Sequence, residues 1–595
     1  MATFKCVSSV SMLLSETSLS ERIKKMKDKI KDYFIILIFA IIFCIPLFSP
    51  DFNIYGDDGI QHIARLMGTT QSIAEGQILP LIMSNFCNGF GYSWNIFYSP
   101  ITSYIPLIFT IFTNSFEIIL KIFMFLITFL SGITMYEFVK KVTKNRYTAL
   151  LASAIYTFAP YHLTDMYNRV AIAELATFIF IPLVFHGMYN IFNAEEKSFT
   201  KSLPLCLGAV GLILSQIVIA MYVAIICFIY LLVNIKKLKD KQVLKILGID
   251  ILLILLLTSF YTVPLLEHRI STDYEVFKDG RMERTDALVF YKVDPIDLVY
   301  TEANSLSFEI GLVSIIGLVF TIFAYKKLED NIKKIYWFSL VAGILCVVFS
   351  LRFFPFEKLP ATLKMLQFTF RLLEFSTFFF AFIAAVNFSL VIKNFKMLDV
   401  LVLSVITILL IVPLAKKNIS YEKKWKEEAL WPAVSVNEYT GRVHAGCASF
   451  EYLPSKAFEH LDYIKQRENK TYILNGSAHI ENEEKNGCKM SMDISNVKND
   501  TVIELPYIYY LGYTAQFTDI NGDMRELDLY ESDNGFVAIN LSEDMNGNIT
   551  VLYNGTALMW IFYAVSFITF IGVITFEIYK KLGKIYCKNY PNKIE

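Results

Sequence analysis

Long apolar runs separated by short basic loops dominate this sequence and limit what it can fold into. Several runs, among them 116–138, 170–191, 244–266 and 372–392, reach the length of about 20 residues that a helix needs to cross a bilayer. The hydrocarbon core offers no water to bond exposed backbone groups, so runs of this length fold there as helices. We therefore predict an α-helical polytopic membrane protein.

The composition agrees with a membrane protein. Of the 595 residues, 55% are hydrophobic, 15% are aromatic and only 18% are charged, whereas a soluble domain is typically about 25% charged. The formal net charge is zero and does not itself indicate a partner. We expect contact with membrane lipid and no nucleic-acid partner.

The basic residues orient the helices. Lysines at 24, 25, 27, 29 and 31 precede the first run, and the positive-inside rule places this end in the cytoplasm. The later basic loops at 140–146, 236–241 and 393–396 then fall on the same side. We predict a multi-pass plasma-membrane protein with both termini in the cytoplasm and about twelve spans, at 34–48, 116–138, 147–160, 170–191, 203–214, 218–233, 244–266, 310–324, 337–351, 372–392, 398–414 and 560–579.

A β-rich region precedes the last run. Alternating stretches at 501–505 and 535–539, with turn signals at 521–522 and 546–547, are typical of strands. The first helix is predicted to be an uncleaved signal anchor, and 101–113 to be a short helix at the outer interface. The predicted regions are a cytoplasmic basic N-terminus (1–32), a transmembrane domain (33–415) with an outer loop (50–100), a β-rich extracytoplasmic domain (416–555), a C-terminal transmembrane helix (556–580) and a cytoplasmic tail (581–595).

The nine cysteines show no CxxC or Cys/His spacing, so we predict no zinc or iron–sulfur site. A divalent cation stays open as a cofactor. Cys447 and Cys488 share the β-rich region, and whether they pair depends on the compartment that this region faces.

The stretch from Tyr55 to Arg65, directly after the first run, carries the clearest site signal. Asp57 and Asp58 are adjacent, and Asp58, His62 and Arg65 recur at i, i+4 and i+7, which places them on one face of a short helix. The simpler alternative is that an aspartate caps this helix and pairs with His62. Capping explains neither the doubled aspartate nor the rest of the stripe. We predict that Asp58 or Asp57 is the catalytic residue.

Three more groups of ionisable residues stand at the predicted outer ends of the helices, where charge is costly and therefore informative. Each also has a structural alternative: an ordinary i,i+4 pair for Asp165 and Arg169, a solvated helix end for 267–269, and an arginine that snorkels to lipid phosphate for Arg371. The candidate residues for binding a donor phosphate are Arg65, Arg169 and Arg371, with His62, His162, Asp165, Glu174 and Glu267 in support.

Carboxylates and arginines at one membrane cavity suit transfer of a sugar from a polyprenyl phosphate. The arginines can neutralise the phosphate as it leaves, and a carboxylate can take the proton of the attacking hydroxyl. Nucleotide sugars are absent outside the cytoplasm, and the sequence has no Gly-rich phosphate loop. A lipid-linked donor is therefore the natural substrate at an outer cavity.

The chain resembles the GT-C glycosyltransferases in its signal-anchor helix, its acidic outer loop, its juxtamembrane helix and its number of spans. This resemblance implies inversion at the anomeric carbon, with one catalytic base. More narrowly, the chain resembles a bacterial family of membrane proteins with a 6-pyruvoyl-tetrahydropterin synthase-related domain. The motifs that carry this second resemblance are Tyr55-Gly56-Asp57-Asp58 with His62 and Arg65, Tyr167-Asn168-Arg169 with Glu174, Leu366-Gln367-Phe368 with Arg371, Glu451-Tyr452-Leu453-Pro454, and Glu504-Leu505-Pro506 with Tyr509-Tyr510 and Gly512-Tyr513.

Two departures limit what the family name implies. Thr369 stands where the family form of the Gln-Phe motif has proline. The resemblance therefore does not predict the backbone conformation beside Arg371. The soluble pterin synthase needs a zinc-binding histidine triad, and the seven histidines of this chain lack that spacing. The pterin name therefore carries no mechanism here.

We predict an inverting glycosyltransferase that moves a hexosyl or pentosyl group from a polyprenyl-phosphate donor to an extracytoplasmic glycan or cell-wall polymer. Two alternatives stay open: a transporter or flippase of a lipid-linked glycan, and a non-catalytic partner of a membrane glycosyltransferase. A transporter is typically built from internal repeats and interrupted helices, and neither stands out in the sequence.

Overall fold

Eight helices in the computed structural model are long and apolar enough to cross a membrane. The structure describes residues 23–589 apart from 25, 51, 53, 55, 195–196, 279, 283, 302–305 and 429–449. Tyr55, Cys447 and most of the predicted basic N-terminus lie outside these residues. The long helices are α1 (Met26–Phe48), α5 (Phe116–Thr143), α8 (Ile172–Asn193), α11 (Lys241–Ser271), α15 (Asp330–Ser350), α17 (Leu372–Val391), α18 (Met397–Glu428) and α21 (Ala557–Asn589).

Shorter helices connect the long ones. They are α2 (Gly59–Ala74), α3 (Trp94–Phe97), α4 (Ile101–Leu107), α6 (Arg146–Thr157), α7 (Pro160–Tyr167), α9 (Phe199–Ser215), α10 (Ile217–Val233), α12 (Thr285–Phe290), α13 (Leu312–Val319), α14 (Thr321–Ala324), α16 (Ala361–Lys364), α19 (Ser455–Glu459) and α20 (Leu461–Gln466). The α2 helix confirms the short helix predicted after Asp58, and α4 starts at the predicted residue 101.

The predicted count of about twelve spans is higher than the eight long helices found. The other four predicted spans, at 147–160, 203–214, 218–233 and 310–324, coincide with helices of 17 residues or fewer. The break predicted between 214 and 218 is confirmed, because α9 ends at Ser215 and α10 begins at Ile217. The 310–324 run, predicted as one span, is split between α13 and α14. An apolar run in a sequence does not reveal such a division, because both halves are equally hydrophobic.

Two antiparallel sheets precede the last helix, as the β-rich composition predicts. One has the strand order β1-β4-β8-β7 and the other the order β2-β3-β9-β5-β6. The 521–522 signal turns β5 into β6, whereas the 546–547 signal begins β9 after a crossing between sheets. The strands are β1 (Tyr472–Asn475), β2 (His479–Asn486), β3 (Lys489–Ser495), β4 (Thr501–Ile508), β5 (Tyr513–Asp519), β6 (Met524–Leu527), β7 (Leu529–Glu531), β8 (Phe536–Leu541) and β9 (Gly547–Tyr553).

The sheets share one hydrophobic core with the loop that follows α2. Phe90 and Tyr92 of this loop are fully buried against residues of both sheets. The backbone N–H of Ile508 donates to the carbonyl of Phe90 at 2.9 Å, and the ammonium group of Lys485 donates to the carbonyl of Gly89 at 2.6 Å. The sheets and the loop therefore form one wall beside α2.

The predicted fold class, a helical polytopic membrane protein with a β-rich part before the last helix, is confirmed. Cys488 is a buried free thiol near the carbonyl of Ile82. Cys447, whose pairing with Cys488 the sequence leaves open, is outside the described residues.

Candidate active site

A cavity of about 1650 Å³ lies where α2 meets the ends of several helices. Its lining comes from α2, residues 94–99, the link between α7 and α8, the start of α10, the end of α11, segments 276–291 and 362–371, and residues 451–452 before the sheets. Pockets for small ligands usually measure about 300–1,000 Å³. This cavity is large enough for more than one sugar unit.

Two glycines explain how the chain brings Asp57 and Asp58 to this cavity. A Cβ atom on Gly56 would lie 2.7 Å from the carbonyl oxygen of Asn168, and a Cβ atom on Gly59 would collide with the carbonyl of Ile54. Glycine removes both clashes. The backbone N–H of Asp58 can then donate to the carbonyl of Arg169 at 2.9 Å.

Asp58 occupies the N-cap position of α2, but its side chain does not cap the helix. Neither aspartate side chain has a hydrogen bond or an ion pair with any residue that the structure describes. The structure therefore does not support the simpler alternative, in which an aspartate caps α2 and pairs with His62. Both carboxylates line the cavity.

The surroundings raise the pKa of both aspartates. Burial, and then repulsion from Asp58, raises the pKa of Asp57 to about 6, against the opposing charge of Arg169. Burial also raises the pKa of Asp58, while Arg169, Arg371 and Arg284 act in the opposite direction. A carboxylate with a pKa near neutrality is suited to accept a proton in catalysis.

His62 and Arg65 follow on the same face of α2, and both are buried. Burial and the charge of Arg65 lower the pKa of His62 to about 3, so this imidazole is neutral at pH 7. The guanidinium group of Arg65 lies 3.9 Å from the ring centroid of Tyr98. It donates to the hydroxyl groups of Thr102 and Ser103 at 3.1 and 2.7 Å. Arg65 thus joins α2 to α4.

A network of buried charges forms another part of the cavity wall. Nη1 of Arg169 donates to Asp165 at 2.5 Å and to Glu174 at 3.0 Å. Nε of Arg371 donates to the same Glu174 oxygen at 3.0 Å, and the hydroxyl of Tyr161 donates to the other oxygen at 2.5 Å. Glu174 therefore fixes both arginines. Nη2 of each arginine has no hydrogen-bond acceptor among the described residues.

The backbone around these arginines is unusual. Val170 has a φ of +50° and Gln367 a φ of +66°, values that are rare for residues with a Cβ atom and especially for a β-branched one. Arg371 is the N-cap of α17, as its sequence position predicts, and the Thr369 hydroxyl holds this turn by donating to the carbonyl of Ser350 at 3.0 Å. Strained backbone of this kind often occurs at functional sites.

Three of the supporting residues do not line the cavity. His162 is buried between the rings of Phe43 and Phe178, at centroid distances of 4.8 and 4.5 Å. Asp165 is the i,i+4 partner of Arg169 that the structural alternative predicts. Glu267 accepts a hydrogen bond from Thr556 at 2.7 Å. All three side chains have structural contacts.

The cavity is also lined by residues that are not among the predicted site residues. Arg269 and Arg284 bring two more positive charges, and Tyr452 contributes a ring that stacks on Phe97 at 5.4 Å. Arg284 lies in an irregular segment without periodicity, so no sequence signal could place it. No three His, Cys, Asp or Glu side chains of the described residues are placed to hold a metal ion together.

Comparison with protein families shows which family this chain belongs to. Residues 96–422 match a family described as a membrane protein with a 6-pyruvoyl-tetrahydropterin synthase related domain. This match covers more than half of the 595 residues. The chain belongs to this family. The family match contains Arg169, Glu174 and Arg371, and it begins after Asp57, Asp58 and Arg65.

A relative is similar to this chain over about half of its length. An uncharacterized protein of Lactococcus lactis subsp. cremoris is 30% identical over 341 residues, which are 55% of this chain and 54% of the relative. The chain thus spans about half the length of this curated relative.

Two crystal structures of the Archaeoglobus fulgidus oligosaccharyltransferase are similar to part of this chain. One is tethered to an acceptor peptide, with a TM-score of 0.42 and 13% identity over 69% of this chain and 58% of that chain. The other is a complex with zinc and sulfate, with a TM-score of 0.40 and 12% identity over 69% of this chain and 57% of that chain. A likeness at this level carries no argument about activity.

Proposed function

We propose that this protein is an inverting membrane glycosyltransferase. It moves a sugar from a polyprenyl-phosphate donor to an extracytoplasmic glycan or cell-wall polymer. The observation that carries the proposal is the pair of unbonded carboxylates, Asp57 and Asp58, that share a cavity with arginines. Charges left without partners in such a cavity are costly, and they are typical of sites that bind and transform a ligand.

Asp58 is the preferred base. Its backbone N–H donates to the carbonyl of Arg169, and the positive charges of Arg169 and Arg371 act on its carboxylate. In the proposed step, the acceptor hydroxyl oxygen attacks the anomeric carbon, and the bond from that carbon to the phosphate oxygen breaks. The hydroxyl proton goes to the aspartate. The bonding electrons leave with the phosphate.

The arginines stabilise the leaving phosphate. Arg169 and Arg371 are held by Glu174, so their orientation does not need to change when the donor arrives. The N–H groups that they do not use on Glu174 and its neighbours are available to phosphate oxygens. Fixed donors of this type lower the barrier because no reorganisation is needed as charge develops.

Another part of the cavity suits the lipid. Ile217, Val218 and Met221 of α10 and Leu265 and Leu266 of α11 line it. These apolar side chains belong to apolar helices, and a polyprenyl chain can pack against them. Burial of each methylene group contributes about 0.8 kcal/mol.

The test is transfer by the purified protein in nanodiscs. Synthetic polyprenyl-phosphate sugars are offered with cell-wall fragments, and the product is identified by mass spectrometry. A glycan lengthened by one sugar, with inverted anomeric configuration, is expected. Comparison of cell-surface glycans with and without the protein identifies the natural sugar. Movement of the intact lipid-linked glycan across liposome membranes without transfer would instead support a transporter.

A further inference from the structure

Two arginines of the cavity, Arg269 and Arg284, carry charges that the protein does not neutralise by contact. Both side chains are exposed and line the cavity, without an ion pair or hydrogen bond to any residue that the structure describes. Two neighbouring cations differ, because Arg281 pairs with Glu275 at 2.8 Å and Lys465 pairs with an aspartate at 3.2 Å.

Aromatic rings hold both guanidinium groups. The Cζ atom of Arg269 lies 5.1 Å from the ring centroid of Phe277, and that of Arg284 lies 5.6 Å from the ring centroid of Phe368. A contact with a ring face orients a guanidinium group and leaves its N–H edge available for a planar anion. The two arginines are thus positioned although they are unpaired.

Arg284 is close to the reacting groups. The ring of Phe368 that it contacts is also 5.0 Å from the Cζ atom of Arg371. The backbone of Arg284 has a φ of +42°, a conformation that costs free energy for a residue with a Cβ atom. The charge of Arg284 also acts on Asp58.

Arg269 and Arg284 add positive charge to the cavity in which an anion would bind. Arg169 and Arg371 are paired with Asp165 and Glu174, so much of their charge is already offset before a ligand binds. Asp57 and Asp58 add negative charge, and a phosphate adds more. Arg65 is held by the neutral hydroxyl groups of Thr102 and Ser103, and Arg269 and Arg284 supply two further positive charges.

We propose that Arg269 and Arg284 form a second anion site, which binds a phosphate group beyond the one held at Arg169 and Arg371. This inference rests on the proposed function and specifies its substrates. The second phosphate has two chemical sources: the outer phosphate of a diphosphate-linked donor, or a phosphate carried by the acceptor polymer.

The experiment measures binding to the full-length protein in nanodiscs. The probes are farnesyl phosphate, farnesyl diphosphate and a glycerol-phosphate oligomer, each radiolabelled and followed by equilibrium dialysis. The variants are R269A, R284A and R284Q, and the matched control is R525A. Arg525 is an exposed arginine that also lies over a phenylalanine ring, at 5.1 Å from Phe517, but it belongs to β6 and does not line the cavity.

Loss of a hydrogen bond to a charged group typically weakens binding about 10- to 100-fold. If R269A, R284A and R284Q bind farnesyl diphosphate more weakly by this factor and farnesyl phosphate nearly as well as the wild type, the inference is supported. The second phosphate then belongs to the donor. A loss confined to the glycerol-phosphate oligomer supports it and assigns the phosphate to the acceptor. R525A should bind every probe as the wild type does.

Unchanged binding of all probes by R269A, R284A and R284Q would overturn the second anion site. If R371A still lost farnesyl phosphate in that experiment, the proposed function would stand without it. If the wild-type protein bound none of the three probes, both proposals would fall.

Discussion

Replacement of Asp58 by asparagine should separate catalysis from folding. The Asp58 side chain has no hydrogen bond or ion pair within the described part of the chain, and asparagine has nearly the same shape. A substitution that removes no contact usually changes the free energy of unfolding by less than about 0.5 kcal/mol. We expect the melting temperature of D58N in nanodiscs to match that of the wild type.

The rate of sugar transfer should fall sharply in the same variant. An amide cannot accept the hydroxyl proton, and loss of a general base typically lowers the rate about 10²- to 10⁴-fold. With about 1.4 kcal/mol for each factor of ten, the barrier should rise by roughly 3–5 kcal/mol. Donor binding should persist, because Arg169 and Arg371 keep their contacts with Glu174.

The assay is single-turnover transfer from a radiolabelled polyprenyl-phosphate sugar, with donor affinity measured on the same preparation. D57N is tested in parallel, since both carboxylates line the cavity. If D58N and D57N each transferred sugar at the wild-type rate, the aspartates would have no part in proton transfer. The assignment of the site would then be refuted.

Four further predictions concern the same site and its orientation. R371K should bind the donor phosphate more weakly than the wild type, and R371A more weakly still, because lysine lacks the two-pronged guanidinium; equal affinities in equilibrium dialysis would exclude a phosphate contact. If Asp57 is the base, transfer should fall about tenfold per pH unit below pH 6, where its carboxylate becomes protonated, and a flat profile from pH 7 to pH 5 would exclude it. E174Q should lower stability by about 3–5 kcal/mol, the usual cost of breaking a buried ion pair, seen as a lower melting temperature than in the E267Q control. K144C and K239C, in a cysteine-free background, should resist an impermeant thiol reagent in intact cells, and labelling of either would reverse the predicted topology.

Those candidate residues that form a local sequence pattern can be predicted from the sequence. Asp57, Asp58 and Arg65 follow a long apolar run and share a helical stripe, and all three line the cavity. The position of Arg371 at a predicted helix start makes it a candidate for binding an anion. The structure confirms that position.

The parts that depend on long-range packing could not be predicted. Glu174 and Arg371 are separated by 197 residues, and no pattern in either segment shows that one carboxylate fixes two arginines. Likewise, nothing near His162 shows that two phenylalanine rings enclose it. Arg284 contacts the ring of Phe368, and no pattern in either segment predicts that contact.

The shared core of the sheets and the loop after α2 has a consequence for biosynthesis. The backbone N–H of Tyr452 donates to the hydroxyl of Tyr92 across 360 residues, and Lys485 reaches Gly89 across 396. Ribosomes add about 5–20 residues per second, so these partners are synthesised roughly 20–80 seconds apart. During that interval Phe90 and Tyr92 lack the sheets that bury them. The candidate aspartates are thus made early, whereas the sheets that complete this core are made only with the last quarter of the polypeptide.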